Sequence, residues 1–84
     1  MSIEDFNNRW ERFLENGNYG LDINNEKVIK FLDDFFYLAQ HEPGFKYSQI
    51  KLKWGQPRFY STLPFSIERM VENEIARILK EEEE

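Results

Sequence analysis

Ile3, Phe6, Trp10, Phe13 and Leu14 recur at intervals of 3, 4, 3 and 1, which places them on one helical face. Ser2 ahead of them is a good N-cap, and Asp5 three residues on supplies a weak capping box. Glu4, Arg9, Glu11, Arg12 and Glu15 fill the other faces. Gly17 offers a left-handed stop, and residues 16–20 read as a loop. A second helix is predicted from a cap at Asn24 or Asn25 to about Gln40, ended by Pro43 and Gly44. Val28, Phe31, Leu32, Phe35, Phe36, Leu38 and Ala39 cover more than half of its circumference, so it should pack on two sides.

From residue 45 to residue 54 the period shortens to two. Ser48, Ile50, Leu52 and Trp54 alternate with Tyr47, Gln49, Lys51 and Lys53, the pattern of a half-buried strand. Ile50, Leu52 and Trp54 are its expected inward face. Gly55, Gln56 and Pro57 read as a turn, and residues 58–62 have the composition and length to pair back. Ser66 is the expected cap of a last helix. Its inner stripe is Ile67, Met70, Val71, Ile75, Ile78 and Leu79; Glu68, Glu72, Glu74 and Arg77 should face solvent.

The predicted class is α+β, in the order α-α-β-β-α, with three helices packed on an antiparallel hairpin. Residues 1–80 form the one domain. The acidic run 81–84 should fray, because negative charge is unfavourable at a helix C-terminus. A lone hairpin is marginal and needs helices on its apolar face. Hairpins of two chains could also pair edge to edge, as a homodimer with a four-stranded sheet.

Length and composition narrow the class further. A chain of 84 residues holds one core but hardly a deep, enclosed active site. Eight Phe, four Tyr and two Trp argue against disorder. The lack of cysteine excludes a disulfide framework, a thiolate zinc site and a thiol nucleophile. The apolar runs are too short to span a bilayer, and residues 1–5 lack the features of a secretory signal, so a cytoplasmic location is expected and no membrane partner.

The net charge of −5 is unevenly placed. Between Pro43 and Ile67 there is no Asp or Glu, and Lys46, Lys51, Lys53 and Arg58 make that stretch +4, which leaves −9 for the rest. The cations alternate with Tyr47, Trp54, Phe59 and Tyr60, a mixture that suits phosphorylated, base-bearing ligands. It also suits the blander role of lysines on exposed strand edges, which discourage aggregation. Direct binding of nucleic acid is not expected, because the acidic whole would repel phosphates.

Candidate catalytic chemistry is sparse. His41, the one histidine, sits at a helix end that a cation favours. Asp33 and Asp34 are neighbours on a helix and diverge by roughly 100°, so they form no acid–base pair. Asp22, Asn24 and Glu26 lack the following Gly and Glu of a calcium loop. Ser48, Ser61 and Ser66 have no base nearby in sequence. No enzyme, cofactor or metal is predicted.

Residues 48–60, Ser48-Gln49-Ile50-Lys51-Leu52-Lys53-Trp54-Gly55-Gln56-Pro57-Arg58-Phe59-Tyr60, resemble a signature of small uncharacterised phage and bacterial proteins, approximately Q-[IV]-K-x-K-[FW]-G-x-[LP]-R-[FV]-Y. The resemblance implies an aromatic, acidic helix before the motif and another helix after it, and carries no activity. Pro57 stands where Leu is usual, which alters the turn, and the Cys-rich tail of many of these proteins is missing.

The expected function is that of a small non-catalytic binding protein, phage-encoded by the resemblance and acting in the host cytoplasm. It would occupy a host protein or sequester an anionic nucleotide signal, as counter-defence proteins do. The alternatives are an acidic mimic of nucleic acid and a purely structural assembly subunit. The expected ligand-binding residues are Lys51, Lys53, Trp54, Arg58 and Tyr60, with Arg58 alternatively bridging to Asp33 or Asp34.

Overall fold

The computed structural model describes residues 1–15 and 17–83. The elements are α1 (Ile3–Arg9), a 3-10 turn (Glu11–Phe13), β1 (Gly20–Asp22), α2 (Glu26–Ala39), β2 (Tyr47–Lys53), β3 (Gln56–Ser61) and α3 (Phe65–Glu83). Among the described residues they make an α+β fold of three helices and one three-stranded sheet, ordered β1-β2-β3. Asn16 of the first loop and Glu84 of the acidic tail lie outside the described residues. No described helix is long and apolar enough to cross a membrane.

Both halves of the capping box form. Ser2 Oγ accepts from Asp5 N at 3.1 Å, and Asp5 Oδ2 accepts from Ser2 N at 3.3 Å. The predicted helix nevertheless stops at Arg9, well short of Leu14. Leu14 is extended, bridges to Tyr47, and is followed by Glu15, whose N–H donates to the Tyr47 carbonyl at 2.9 Å. The sheet therefore takes the backbone groups that a longer helix would have used.

The order α-α-β-β-α needs correction, because Gly20–Asp22 is a strand. It pairs parallel with β2, matching Gly20 with Gln49, Leu21 with Ile50 and Asp22 with Lys51. Parallel strands require a crossover, and α2 supplies it. Asn7 walls the outer edge of β1: its Nδ2 donates to Leu21 O at 3.1 Å and its Oδ1 accepts from Leu21 N at 2.9 Å. Gly20 has φ +76°, and a Cβ there would lie 2.6 Å from Asn7 Oδ1, so this close approach demands glycine.

The hairpin is antiparallel, matching Gln49 with Tyr60, Ile50 with Phe59, Lys51 with Arg58, Leu52 with Pro57 and Lys53 with Gln56. Its turn is Trp54-Gly55, one residue earlier than predicted, and Gln56 and Pro57 belong to β3. A register shift between Tyr47 and Gln49 breaks the alternation. The extra residue turns Tyr47 inward, where it is fully buried beside Ile50. Of the expected inward trio only Ile50 is buried; Leu52 is 43% exposed and Trp54 91% exposed, because both lie beyond the helical cover.

α2 covers the inner sheet face. Phe36, fully buried at its centre, meets the rings of Phe6, Trp10, Phe45, Tyr47 and Phe59 at centroid distances of 5.1, 5.5, 5.3, 4.9 and 6.3 Å. Asn25 caps this helix, accepting from Val28 N at 3.1 Å. Asp33 is buried but satisfied: it accepts from Trp10 Nε1 and from Arg9 Nη1, each at 2.9 Å. Asp34 points outward to Lys30 at 3.2 Å. The two carboxylates diverge as the helical geometry demands.

α3 departs from its prediction in three ways. It starts at Phe65, with Pro64 O accepting from Ile67 N and Glu68 N at 3.0 and 3.1 Å, so Ser66 lies in the first turn and is not the cap. Met70 is 66% exposed, and Val71, Ile75 and Ile78 form the buried stripe. Glu68 and Glu72, expected in solvent, are half-buried. Glu72 Oε2 accepts from Phe59 N at 2.9 Å, and Glu68 Oε2 accepts from Ser61 N at 2.7 Å and Ser61 Oγ at 2.8 Å.

These carboxylates close the free edge of the sheet. Alternate strand amides point the same way, so the outward positions of β3 are 57, 59 and 61. Pro57 has no N–H, and the other two donors are held by Glu72 and Glu68. With β1 on the far side of β2, the strand edges expected to build a four-stranded sheet between two chains are occupied or capped. Replacing Glu68 and Glu72 together by Ala should cost about 1–3 kcal/mol in urea denaturation, since two strand amides lose their partners. It should also increase the mass seen by light scattering; a variant as stable as wild type would refute the capping role.

Tyr47 carries a second signature. Its hydroxyl is buried with no hydrogen-bond partner among the described residues. Burial, reinforced by the Glu11 charge, pushes its pKa from 10.0 up to about 12. The unfolded chain therefore gives up this proton first, and stability should fall as pH rises from about 10 towards 12. Tyr47→Phe should remove that part of the slope and leave neutral-pH stability unchanged or slightly higher, as thermal melts across the alkaline range would show.

Candidate functional site

The register decides where the expected site residues stand. Inward Ile50 and Phe59 are a matched pair, so the matched pairs on either side face outward. Gln49 with Tyr60, Lys51 with Arg58, and Lys53 with Gln56 thus form three successive rows on the outer face of the sheet. The rows follow one another at about 7 Å, two residues at the strand rise. Parallel pairing adds Asp22 beside Lys51. Lys51, Lys53, Arg58 and Tyr60 are therefore brought together on one face.

Trp54 stands at the tip of the same hairpin. Trp54 has φ +55° and Gly55 φ +78°, the paired positive values of a tight two-residue hairpin turn. Such a turn favours Asn-Gly. A left-handed conformation costs an ordinary L-residue about 1–2 kcal/mol, and a ring 91% exposed recovers little of that by packing.

The cations are not consumed by the fold. Among the described residues, Lys51, Lys53 and Arg58 take part in no ion pair. Arg58 does not reach Asp33 or Asp34, which are taken by Arg9, Trp10 and Lys30. Its Nη1 donates to Pro57 O at 3.0 Å, and most of the guanidinium's five donors stay available. Lys46 stands apart, with its Nζ on Arg12 O at 3.0 Å.

The alternation along the chain places Gln49 with Lys51 and Lys53 on one face but misses its row with Tyr60 and the membership of Gln56. Only the register reveals them, and the register hangs on the turn being Trp54-Gly55. Also unforeseen is a groove of about 570 Å³ between β3 and α3, where Arg58 and Tyr60 meet Phe65 and Arg69. Arg69 lies over the Phe65 ring, 5.6 Å from its centroid. Among the described residues no group of three His, Cys, Asp or Glu could hold a metal ion.

The arrangement can attract anions, donate hydrogen bonds and offer aromatic faces. It shows no converging acid and base. Comparison with protein-family models, curated proteins and solved structures gives no match, so the reading of the site rests on its own geometry. Trp54→Asn should raise stability by about 1 kcal/mol, about 4–8 °C in a thermal melt. A fall in melting temperature would mean that the indole supports the fold after all.

Proposed function

We propose that this chain is a small non-catalytic binding protein that takes up an anionic, base-bearing ligand on the outer face of its sheet. The observation that carries this reading is the clustering of Lys51, Lys53 and Arg58, free of ion pairs among the described residues, with Tyr60 on that face and Trp54 at its tip. Cations supply phosphate contacts, and exposed rings supply stacking surfaces worth about 1–3 kcal/mol per base. Sequestration needs nothing more, which fits a chain of 84 residues in which the sheet face brings together cations and rings among the described residues.

Occupation of a protein partner is the second reading. Leu38, Phe65 and Met70, 74, 70 and 66% exposed on the helices, favour it, since apolar anchors dominate protein interfaces. Phe65 borders the groove that Arg58 and Tyr60 also line, whereas Leu38 and Met70 do not, so mutation of Leu38 and Met70 separates the two readings.

A thermal-shift panel of linear and cyclic nucleotides and short oligonucleotides tests the proposal. At least one ligand should raise the melting point by mass action, should be recovered chemically unchanged, and should lose its effect in the Lys51→Glu/Arg58→Glu double variant. A panel without any shift, or a shift that survives the double variant, would overturn the sheet-face reading; ligand turnover would overturn the non-catalytic one.

A further inference from the structure

The outer face is a track, and its dimensions select among base-bearing anions. In order along it come Tyr60 beside Gln49, then Lys51 beside Arg58, then Lys53 beside Gln56, then Trp54 at the tip. Tyr60 stands in the first row and Trp54 in the turn beyond the last, with the cations between. From Tyr60 to Gln56 the strand rises about 14 Å, at about 3.4 Å per residue, and Trp54 lies further on. Aromatic rings stack at centroid separations of about 4.5–7 Å, so a base resting on one ring does not reach the other. One mononucleotide would leave half of the track empty. A strand of several nucleotides would place bases at both ends and phosphates on the cations between.

The acidic remainder of the molecule is the obvious objection. Among the described residues the sheet contains one acid, Asp22; Glu68 and Glu72 of α3 line the groove beside Arg58 and Tyr60, each accepting from a β3 amide. The narrowest dimension of the molecule is 23 Å, whereas charges are screened over about 8 Å at physiological salt. Distant carboxylates are therefore screened, and on the face and its bordering groove the four cations Lys51, Lys53, Arg58 and Arg69 outnumber the three acids Asp22, Glu68 and Glu72.

From the spacing of rings and cations we infer that the ligand of this face is single-stranded nucleic acid and not a mononucleotide, an inference that rests on the sheet-face reading above. The bases stack on Tyr60 and Trp54, and the backbone runs over Lys51, Lys53 and Arg58. Duplex DNA does not fit, because its paired bases are closed to stacking. Stacking accepts the face of any base, so binding tolerates many sequences.

The probes are a twelve-residue oligothymidylate, the same strand in duplex, thymidine triphosphate and polyglutamate, followed by tryptophan fluorescence at 0.15 M salt. Trp10, 2% exposed, reports on the core, while Trp54 reports on the face. The single strand should quench Trp54 and bind at least tenfold more tightly than each other probe. Three cations should give a plot of log K against log salt with a slope of about −2. Trp54→Asn, which keeps or raises stability, should weaken the single strand about tenfold.

Triphosphate binding equal to that of the oligonucleotide would overturn the track and leave the sheet-face reading standing. Equally tight duplex or polyglutamate would show that charge alone acts and would overturn the stacking. Unaltered single-strand affinity in Trp54→Asn would do the same. No binding by the strand or the triphosphate would overturn the inference and, with a silent nucleotide panel, the reading beneath it.

Discussion

Phe36 ties the helical layer to the sheet. It lies in the middle of α2 and touches rings from α1, the loop before β2, β2 itself and β3. Removing a buried Phe ring typically costs about 3–5 kcal/mol, against a total stability of about 5–15 kcal/mol for a domain. One side chain thus sets the distance between helix and sheet. It also settles which sheet face is inside, because Ile50 and Phe59 must turn towards it. The outward position of Lys51, Lys53, Arg58 and Tyr60 follows from that choice, since a strand cannot turn one side chain without turning its neighbours.

The edges of the sheet are finished as carefully as its inner face. Asn7 imitates a neighbouring strand for Leu21, and Glu68 and Glu72 take the outward donors of β3 that Pro57 does not remove. A sheet so closed resists pairing with other strands. Contacts with a partner are then left to the outer face, the hairpin tip and the exposed helix positions. Of these, the face and tip combine uncommitted charge with exposed rings.

The legible parts of the sequence were those with strong local signals: the Ser2 and Asn25 caps, the extent of α2, the existence of the hairpin and the outward set Gln49, Lys51 and Lys53. The rest depended on contacts between distant segments. β1 spans three residues, too few for any periodicity, and exists because β2 offers it an edge. The bulge that buries Tyr47 inverts one side chain against a regular alternation, and nothing in the residue types announces it. Glu68 and Glu72 look like solvent-facing carboxylates until β3 is placed beside them. The site residues were readable as a basic, aromatic stretch, but their rows were not, because moving the turn by one residue changes every cross-strand partner.

That displaced turn explains why Trp54 matters. A turn at Gly55-Gln56-Pro57 would have put the indole on a strand, packed or exposed as its neighbours required. The observed turn puts it at a position where Asn would be more stable, with φ +55° and almost its whole surface in water. Backbone strain of about 1–2 kcal/mol and a large exposed apolar ring are both unfavourable to the isolated fold, and no contact within the described chain offsets them. Strained residues of this kind cluster at functional sites. On the proposed reading the offsetting contact is made by an anionic ligand that lies along the outer face to the hairpin tip.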